Sequence, residues 1–263
     1  MRLRIWLVGG TTESVDLANI LVPYHLPCIV TVISPSAQHH YPQSSELHVH
    51  TGALNPSTIE SFLHDHHIAA ILDASHPYAT EISNLAMSVA THFQLPYLRF
   101  ERSSPSTGTS TNNGLIIEVD SVSQLLQDKF LRQQRVLLTI GRTPLHRFRD
   151  WHGDSTLFAR VLPQSQALQT ALAAGFRCDR IIALQPPISF ALEKALWQQW
   201  QISVVITKAS GQPGGEPIKR QVAQALGVSL VIIKRPTLAY PQQTSDLQTA
   251  LQFCQTALNH PQG

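Results

Sequence analysis

Short apolar runs rich in β-branched residues alternate with segments of helical periodicity along the whole of this 263-residue chain. The first run ends at Val8, and the segment after it repeats apolar residues at the spacing of one helix face. Regular alternation of strand and helix is typical of a doubly wound parallel sheet. The pattern predicts an α/β fold, and it continues long enough for two such sheets.

The predicted elements divide the chain into two domains. The predicted strands are Leu3–Val8, Cys28–Ser34, Ala69–Ala74, Tyr97–Phe100, Leu115–Val119, Arg135–Ile140, Leu157–Leu162, Arg180–Leu184, Ser203–Thr207 and Ser229–Lys234. Helices are predicted near Glu13–Leu21, Tyr78–Phe93 and Ser245–Leu258, with others between the later strands. The polar stretch Ser103–Gly114 is a loop or linker. We therefore expect domains at residues 1–102 and 115–263, joined by the linker 103–114, with a cleft between them.

Charge is distributed unevenly between these two parts. Residues 1–98 contain two basic residues against seven acidic ones, whereas residues 99–263 contain 17 basic residues against ten acidic ones. This imbalance predicts that the second part binds a small polyanion. A nucleic-acid partner is not expected, because no basic run is interleaved with aromatic residues.

Two further classes of protein are excluded by the sequence. No apolar run approaches 18 residues, so no membrane span is expected. The three cysteines, Cys28, Cys178 and Cys254, are too few and too far apart for a disulfide framework, which favours a cytoplasmic protein.

The first strand is followed by a glycine turn that leads into a helix. Such a turn can bring backbone N–H groups close to a pyrophosphate. The dinucleotide fingerprint GxGxxG would require glycine where Thr11 and Ser14 stand, so an ordinary capped turn is an equal alternative. The candidate cofactor contacts are Gly9, Gly10, Thr11, Thr12 and Glu13.

The second strand ends without the acidic residue that usually binds the ribose 2′-hydroxyl of NAD. Ser34, Ser36 and His39 could instead contact a 2′-phosphate, which favours NADPH over NADH. A plain loop is the alternative interpretation.

The third predicted strand runs into Asp73-Ala74-Ser75-His76-Pro77-Tyr78. Ser75 and His76 are candidate cofactor contacts, and His76 and Tyr78 are candidate catalytic residues. In the alternative interpretation, Asp73 and Ser75 cap a helix that Pro77 opens.

The basic residues of the second part cluster near strand ends and in one glycine-rich loop. The loop between Lys208 and Arg220 is interpreted as a mobile flap over an anionic ligand, or else as a solvent-exposed loop. The candidate substrate contacts are Arg142, Lys208, Ser210, Gly211, Lys219, Arg220 and Arg235.

The thirteen histidines do not predict a metal site. The densest clusters, His48/His50 and His64–His67, lack a third ligand at a recognised spacing. A GxSxG elbow is also absent, so hydrolysis is poorly supported.

Several segments occur together in one order along the chain. They are LVGGTTES (Leu7–Ser14), DASHPYATEISNLA (Asp73–Ala86), LPYLRFER (Leu95–Arg102), LLTIGR (Leu137–Arg142), TKASG (Thr207–Gly211) followed by Lys219, and KRP (Lys234–Pro236). Together they resemble the precorrin-6A reductase family of cobalamin biosynthesis, including its cobalt-precorrin-6A members. The DASHPYA and LPYLRFER segments are the most specific part of the resemblance.

The resemblance implies two Rossmann-like domains that exchange their terminal strands, the first binding NAD(P)H and the second a tetrapyrrole. The implied reaction moves a hydride from the nicotinamide to one carbon of the macrocycle, with a proton added at the adjacent carbon. The several carboxylates of such a substrate would account for the basic second part. Other enzymes of the same pathway are further expected partners. Alternatives are a non-catalytic tetrapyrrole carrier and a nucleotide-sugar enzyme.

Overall fold

The strands of the computed structural model, which describes residues 2–102, 115–127, 129–211 and 214–259, form two six-stranded sheets. The strands are β1 (Arg4–Val8), β2 (Cys28–Val32), β3 (Leu47–Thr51), β4 (Ile68–Asp73), β5 (Tyr97–Phe100), β6 (Ile116–Val119), β7 (Arg135–Thr139), β8 (Thr156–Val161), β9 (Ile181–Ala183), β10 (Val204–Lys208), β11 (Ser229–Ile233) and β12 (Gln243–Thr244). The α-helices are α1 (Thr12–Leu21), α2 (Ile59–Asp65), α3 (Thr80–His92), α4 (Val122–Gln127), α5 (Ser165–Ala173), α6 (Phe190–Gln199), α7 (Glu216–Leu226) and α8 (Leu247–Asn259). Short 3-10 helices, including Pro35–His40 and Thr143–His152, occur between them.

Both sheets are parallel and have the same strand arrangement. The order is β12-β5-β4-β1-β2-β3 in the first sheet and β6-β11-β10-β7-β8-β9 in the second. Each sheet therefore reverses its winding direction at one point, between β1 and β4 and between β7 and β10 respectively. Ligands of doubly wound sheets bind at the carboxyl ends of the strands that flank this switch point. The α/β fold expected from the sequence is confirmed.

One edge strand of each sheet, β6 or β12, comes directly after a strand of the other sheet along the chain. Strand β6 follows β5 along the chain but pairs with β11, and β12 follows β11 but pairs with β5. This is the exchange of terminal strands that the resemblance implies.

The exchange shifts the domain division expected from the sequence. Unit 1 contains the described residues of 1–103 and 236–263, and unit 2 contains those of 104–235. Residues 236–263, expected in the second domain, belong to unit 1 because β12 pairs with β5 and α8 packs on β4 and β1. We call residues 236–246 the returned segment.

Alternating side chains of the central strands fill the two faces of the first sheet. Ile5 and Leu7 of β1 pack in a cluster that includes residues of α1 and α8, whereas Trp6 and Val8 pack in one that includes residues of α2 and α3. Successive side chains of a strand point to opposite faces, so a strand that is apolar at every position must be covered on both sides.

Unit 2 has a comparable core. Leu137, Val205 and Leu230 of its central strands pack in one cluster with Trp197 of α6 and Val222 of α7. The hydroxyl of Ser189 caps α6, and α7 lies between two glycines in the left-handed conformation, Gly215 (φ 68°) and Gly227 (φ 67°).

All ten predicted strands are present, with ends that agree to within two residues. Strands β3 and β12 are not among the predictions. Strand β3 (LHVHT) lies at the sheet edge, where only its first residue is buried, so its sequence has no apolar run. Strand β12 has only two residues, too few for a recognisable pattern. The predicted linker Ser103–Gly114 lies outside the described residues. Within the described ranges, no helix combines the length and apolarity needed to cross a bilayer.

Candidate functional site

The turn after β1 contains two glycines that are required for different reasons. A Cβ atom on Gly9 would lie 2.5 Å from the Tyr41 hydroxyl and 2.7 Å from Cγ1 of Val30, so only glycine fits there. Gly10 has a φ of 98°, a conformation that residues with a Cβ atom rarely adopt. The turn therefore lies close to β2 at Gly9, and, apart from its chain neighbours, no described residue has an atom within 4 Å of the place where a Cβ atom of residue 10 would be.

Hydrogen bonds fix this turn to two other parts of unit 1. The Gly10 N–H donates to the Tyr41 hydroxyl (2.8 Å), which lies 2.6 Å from Oγ of Ser14. The Thr11 hydroxyl accepts from the Ser14 N–H (3.1 Å) and donates to the carbonyl of Ala74 at the end of β4 (2.7 Å). Burial raises the pKa of Tyr41, so its hydroxyl stays protonated. Nothing in the sequence pattern indicated Tyr41.

Both interpretations of the turn are compatible with these contacts. Thr11 and Ser14 form a capping box, as an ordinary capped turn would have. The Gly10 N–H and the Thr11 hydroxyl, predicted to contact a cofactor, are engaged within unit 1. The N–H groups of Thr12 and Glu13, at the start of α1, have no hydrogen-bond acceptor among the described residues. They remain available to an anion.

The loop after β2 presents hydroxyl groups without an acidic neighbour. The Oγ atoms of Ser34 and Ser36 lie 2.7 Å apart, and Ser36 and His39 are exposed. No Asp or Glu occurs between residues 33 and 45. The loop can therefore donate hydrogen bonds to an anionic group without charge repulsion.

Asp73, the last residue of β4, is the centre of a fully buried polar network. Its Oδ1 accepts from Nη1 of Arg99 (3.0 Å) and from the Ser75 N–H (2.9 Å). Its Oδ2 accepts from the hydroxyls of Ser83 and Tyr97, both at 2.7 Å. The side chains of Asp73 and Arg99 are both 0% exposed. A buried carboxylate of this kind is tolerated because its charge is paired and it accepts four hydrogen bonds.

The Arg99 guanidinium extends this network. Its Nη1 also donates to Oγ of Ser75 (3.1 Å), and its Nη2 and Nε donate to one carboxylate oxygen of Glu101 at 2.9 and 3.3 Å. Its other side faces the ring of Tyr240, with the guanidinium carbon 5.1 Å from the ring centroid. Burial and the charge of Asp73 raise the pKa of Tyr97, which therefore remains a donor. The DASHPYA and LPYLRFER segments thus meet in one network.

Three side chains predicted at the end of β4 have different surroundings. Ser75 is buried, and its hydroxyl belongs to the Asp73–Arg99 network rather than to the surface, which differs from its predicted cofactor contact. His76 is exposed and Tyr78 is half-buried, with their ring centroids 5.7 Å apart. The Tyr78 N–H donates to Nδ1 of His76 (3.2 Å), so a neutral imidazole would have its proton on Nε2.

Basic residues follow the two strands at the switch point of unit 2. Arg142 comes after β7 and after Gly141, which has a φ of 80°, and Lys208 is the last residue of β10. Because β7 and β10 are neighbours in a parallel sheet, both residues lie at the same edge. Burial lowers the pKa of Lys208.

The loop after β10 is held by contacts within unit 2. Gly211 donates its N–H to Oε2 of Glu216 (3.1 Å), and Nζ of Lys219 donates to the carbonyl of Gly214 (2.5 Å). A Cβ atom on Gly214 would lie 1.8 Å from Oγ of Ser210. The loop can therefore adopt this conformation only with glycine at position 214. Gln212 and Pro213 lie outside the described residues. The described part of the predicted flap is thus bonded to the start of α7.

Three of the basic residues predicted to bind the substrate make contacts within unit 2. Lys219 is 2% exposed. Arg220 donates from Nε to Oε1 of Glu216 (2.9 Å), and Arg235 donates from Nε to the carbonyl of Ala209 (2.8 Å). All three support the loop, and Gly211 uses its N–H in the same way. Arg142 and Lys208, at the ends of β7 and β10, stay predicted carboxylate contacts together with Ser210.

A second buried charge cluster lies around Lys219. Glu193, which is 1% exposed, accepts from Arg160 and from Nε1 of Trp197 (3.0 Å). Burial and the nearby positive charge of Arg160 lower the pKa of Lys219 to about 8. Nothing in the sequence pattern indicated this cluster, because its members come from β8, α6 and α7.

The lowered pKa predicts how Lys219 affects stability at alkaline pH. Between the folded value of about 8 and the unfolded value of 10.5, the unfolded chain binds more protons, so this group makes folding more favourable as pH rises. The free energy of unfolding of the wild type, relative to K219M, should therefore increase from pH 8 to pH 10. Urea unfolding across this pH range measures the free energy of unfolding of both proteins. The titration of tyrosines affects both proteins equally and cancels in the difference between them. A difference independent of pH would contradict the prediction.

The described residues contain no group of three or more His, Cys, Asp or Glu side chains arranged to hold a metal ion. The rings of His50 in β3 and of His66, which directly follows α2, lie 6.2 Å apart.

Comparisons with known proteins cover nearly the whole chain. The family model of precorrin-6x reductase CbiJ/CobK matches residues 4–255. A cobalt-precorrin-6A reductase from Synechocystis is 48% identical over 97% of this chain and 97% of its own length. One from Priestia megaterium is 30% identical over 90% of this chain and 92% of its own length. A precorrin-6A reductase from Rhodococcus erythropolis is 28% identical over 92% of this chain and 93% of its own length.

The fold is also that of a solved relative. The structure of CobK precorrin-6A reductase superposes with a TM-score of 0.74 at 20% identity, with 100% of both chains covered. With a family model that matches almost every residue and a relative close to half identical, this chain belongs to the precorrin-6x reductase family CbiJ/CobK.

Proposed function

We propose that this protein reduces cobalt-precorrin-6A with NADPH, and that metal-free precorrin-6A is a poorer substrate. The 48% identity to a cobalt-precorrin-6A reductase over nearly the full length of both chains is the observation that supports this most strongly. The cobalt form is preferred because the relatives at 48% and 30% identity are both cobalt-precorrin-6A reductases.

Unit 1 is proposed to bind the dinucleotide. The geometry of the glycine turn fits a pyrophosphate, because a Cβ atom on Gly9 would collide with Tyr41 and the N–H groups of Thr12 and Glu13 lie at a helix start. Ser34 and Ser36 would donate hydrogen bonds to the 2′-phosphate. The nicotinamide supplies the hydride when it is bound.

The same unit is proposed to supply the proton for the neighbouring carbon. His76 and Tyr78 follow β4 at the switch point and are not fully buried. The contacts of His76 are compatible with donation, since its Nδ1 accepts from the Tyr78 N–H and leaves Nε2 to hold the proton.

Unit 2 is proposed to bind the carboxylates of the tetrapyrrole through Arg142, Lys208 and Ser210. Lys208 ends β10, and Ser210 and Arg142 follow β10 and β7, the two strands that flank the switch point of this unit. The support from Lys219, Arg220 and Arg235 would fix the loop before the substrate binds, which lowers the entropic cost of ordering it.

The test is oxidation of NADPH by the purified protein with cobalt-precorrin-6A and, separately, with precorrin-6A. We expect turnover with both and a higher kcat/KM with the cobalt form. Absence of NADPH oxidation with either compound would overturn the proposal. A carrier without catalytic activity would bind the tetrapyrrole but give no signal in an NADPH titration.

The reaction is proposed to take place in the cytoplasm. Cys28, Cys178 and Cys254 are all free thiols, and Cys178 lies in a different unit from the other two. A reducing compartment keeps such thiols unpaired. Enzymes that supply the substrate or accept the product are the proposed partners.

We expect NADPH to be preferred over NADH. Hydrogen bonds to a charged group are worth about 1.5–3 kcal/mol, so the Ser34–Ser36 loop should give NADPH an advantage of about tenfold or more in kcat/KM. The S34A/S36A double variant should reduce this ratio without weakening NADH. Equal values for the two cofactors in the wild type would show that this loop does not discriminate.

Replacing Arg142 or Lys208 with alanine should raise KM for the tetrapyrrole about tenfold or more, since each would remove a charge-assisted hydrogen bond. The affinity for NADPH should stay nearly constant. Arg177→Ala is the matched control, because Arg177 is an exposed arginine of unit 2 paired only with Asp179 among the contacts described. If tetrapyrrole KM is unchanged in both variants, these residues do not bind the carboxylates.

A further inference from the structure

The returned segment contacts the buried network of unit 1 through backbone and side chain. The Arg99 N–H donates to the carbonyl of Gln242 and the Glu101 N–H donates to that of Thr244, both at 2.9 Å. The ring of Tyr240 covers the Arg99 guanidinium. One side of Arg99 is therefore bounded by chain that returns from unit 2.

The other side of Arg99 leads to the glycine turn through three consecutive residues. Its Nη1 donates to Oδ1 of Asp73 (3.0 Å) and to Oγ of Ser75 (3.1 Å), on either side of Ala74. The carbonyl of Ala74 accepts the hydroxyl proton of Thr11 (2.7 Å). A continuous series of short contacts thus joins Tyr240 to the residue that caps α1.

We propose that Arg99 is a positioning residue of the dinucleotide site, and that Tyr240 of the returned segment fixes its placement. The inference rests on the proposed binding of NADPH at the glycine turn. Arg99 acts through Asp73, Ser75 and Thr11 and does not itself contact the cofactor.

The geometry requires an arginine at this position. Three nitrogens of one planar group reach Asp73, Ser75 and Glu101 at the same time. A lysine has a single ammonium group on a flexible stem and cannot reproduce this fork. Buried ion pairs add little net stability compared with well-packed apolar residues, so fixing one arrangement of the β4 end is the better account of its presence.

The experiment compares R99K, Y240A and Y240F with the wild type. The dissociation constant of NADPH is measured by fluorescence titration, and hydrogen exchange of residues 9–14 is measured in the protein without cofactor. We expect R99K to weaken NADPH binding about tenfold or more, because charge-assisted hydrogen bonds are lost, and to accelerate exchange at residues 9–14. Y240A should show the same changes to a smaller degree. Y240F keeps the ring over Arg99 but loses the hydroxyl that bonds to the Ser83 side chain, so its changes should be smaller than those of Y240A.

R160K is the matched control. Arg160 and Glu193 form a buried ion pair in unit 2, so this variant should lower Tm but leave NADPH binding and exchange at residues 9–14 unchanged. If R99K lowers Tm while its folded fraction keeps wild-type affinity and wild-type exchange, Arg99 is only structural and the inference is wrong.

The remaining outcomes also decide the question. If R99K does not fold, the comparison of Y240A with Y240F tests the inference through the same two measurements. Weaker NADPH binding and faster exchange in Y240A than in Y240F would support it, and equal values would overturn it. If the wild type does not bind NADPH, the proposed function fails. Faster exchange at residues 9–14 in R99K would then still support the link from Arg99 to the turn, and unchanged exchange would overturn it.

Discussion

Replacement of Asp73 by alanine is expected to lower the free energy of unfolding by about 3–5 kcal/mol, the cost typical of removing one partner of a buried ion pair. The change would leave the Arg99 guanidinium, which is 0% exposed, without its buried counter-ion. It would also remove the acceptor of the Tyr97 and Ser83 hydroxyls. Urea unfolding followed by circular dichroism measures the loss.

Asp179→Ala is the control for this variant. Asp179 also pairs with an arginine, Arg177, but its side chain is 61% exposed, so water replaces the lost contact and stability should not change measurably. A loss for Asp73→Ala as small as that of the control would show that Arg99 finds another partner or is reached by water.

Gly9→Ala is expected to weaken NADPH binding about thirtyfold, since overpacking of this kind costs about 2 kcal/mol. The added Cβ atom would lie 2.5 Å from the Tyr41 hydroxyl, 2.7 Å from Cγ1 of Val30 and 3.1 Å from the Thr31 carbonyl oxygen. Since backbone is among these neighbours, the turn itself must move, and the hydrogen bond from Gly10 to Tyr41 would be disturbed. Fluorescence titration with NADPH checks the prediction.

Gly153→Ala provides the comparison for the glycine variant. Gly153 has a φ of −81°, and a Cβ atom added there would have no other atom within 4 Å, so alanine fits without strain. Wild-type affinity for NADPH in both variants would mean that the turn after β1 does not bind the cofactor.

The strand ends could be predicted from sequence because their signals are local. Gly9-Gly10 and Gly141-Arg142 each follow an apolar run, and a parallel sheet brings the ends of its neighbouring central strands to one edge. The buried ion pair between Asp73 and Arg99 could also have been predicted from the sequence. Arg99 stands two residues after Tyr97 in an otherwise apolar strand, so both side chains lie on one face, beside the end of β4.

Whether an individual basic side chain binds a ligand or a group of the protein itself could not be predicted in this way. Lys219, Arg220 and Arg235 have the composition and spacing of a carboxylate-binding loop, yet each donates to a group within unit 2. Whether such a side chain donates to a ligand or to an acceptor of the protein depends on a few ångströms of placement, which composition does not encode. Tyr41 illustrates the same limit, because it reaches the glycine turn from the end of a 3-10 helix that carries no motif.

The exchange of terminal strands has a consequence for the order of events during synthesis on the ribosome. Strand β5 leaves the ribosome with one edge unpaired, and its partner β12 is translated only after all of unit 2. At about 5–20 residues per second, that edge waits for roughly 7–30 seconds. During this interval the nascent chain has Arg99 without the ring of Tyr240 over it and an open strand edge of the kind that promotes aggregation. Unit 1 therefore completes its native strand pairing only after residues 236–246 emerge.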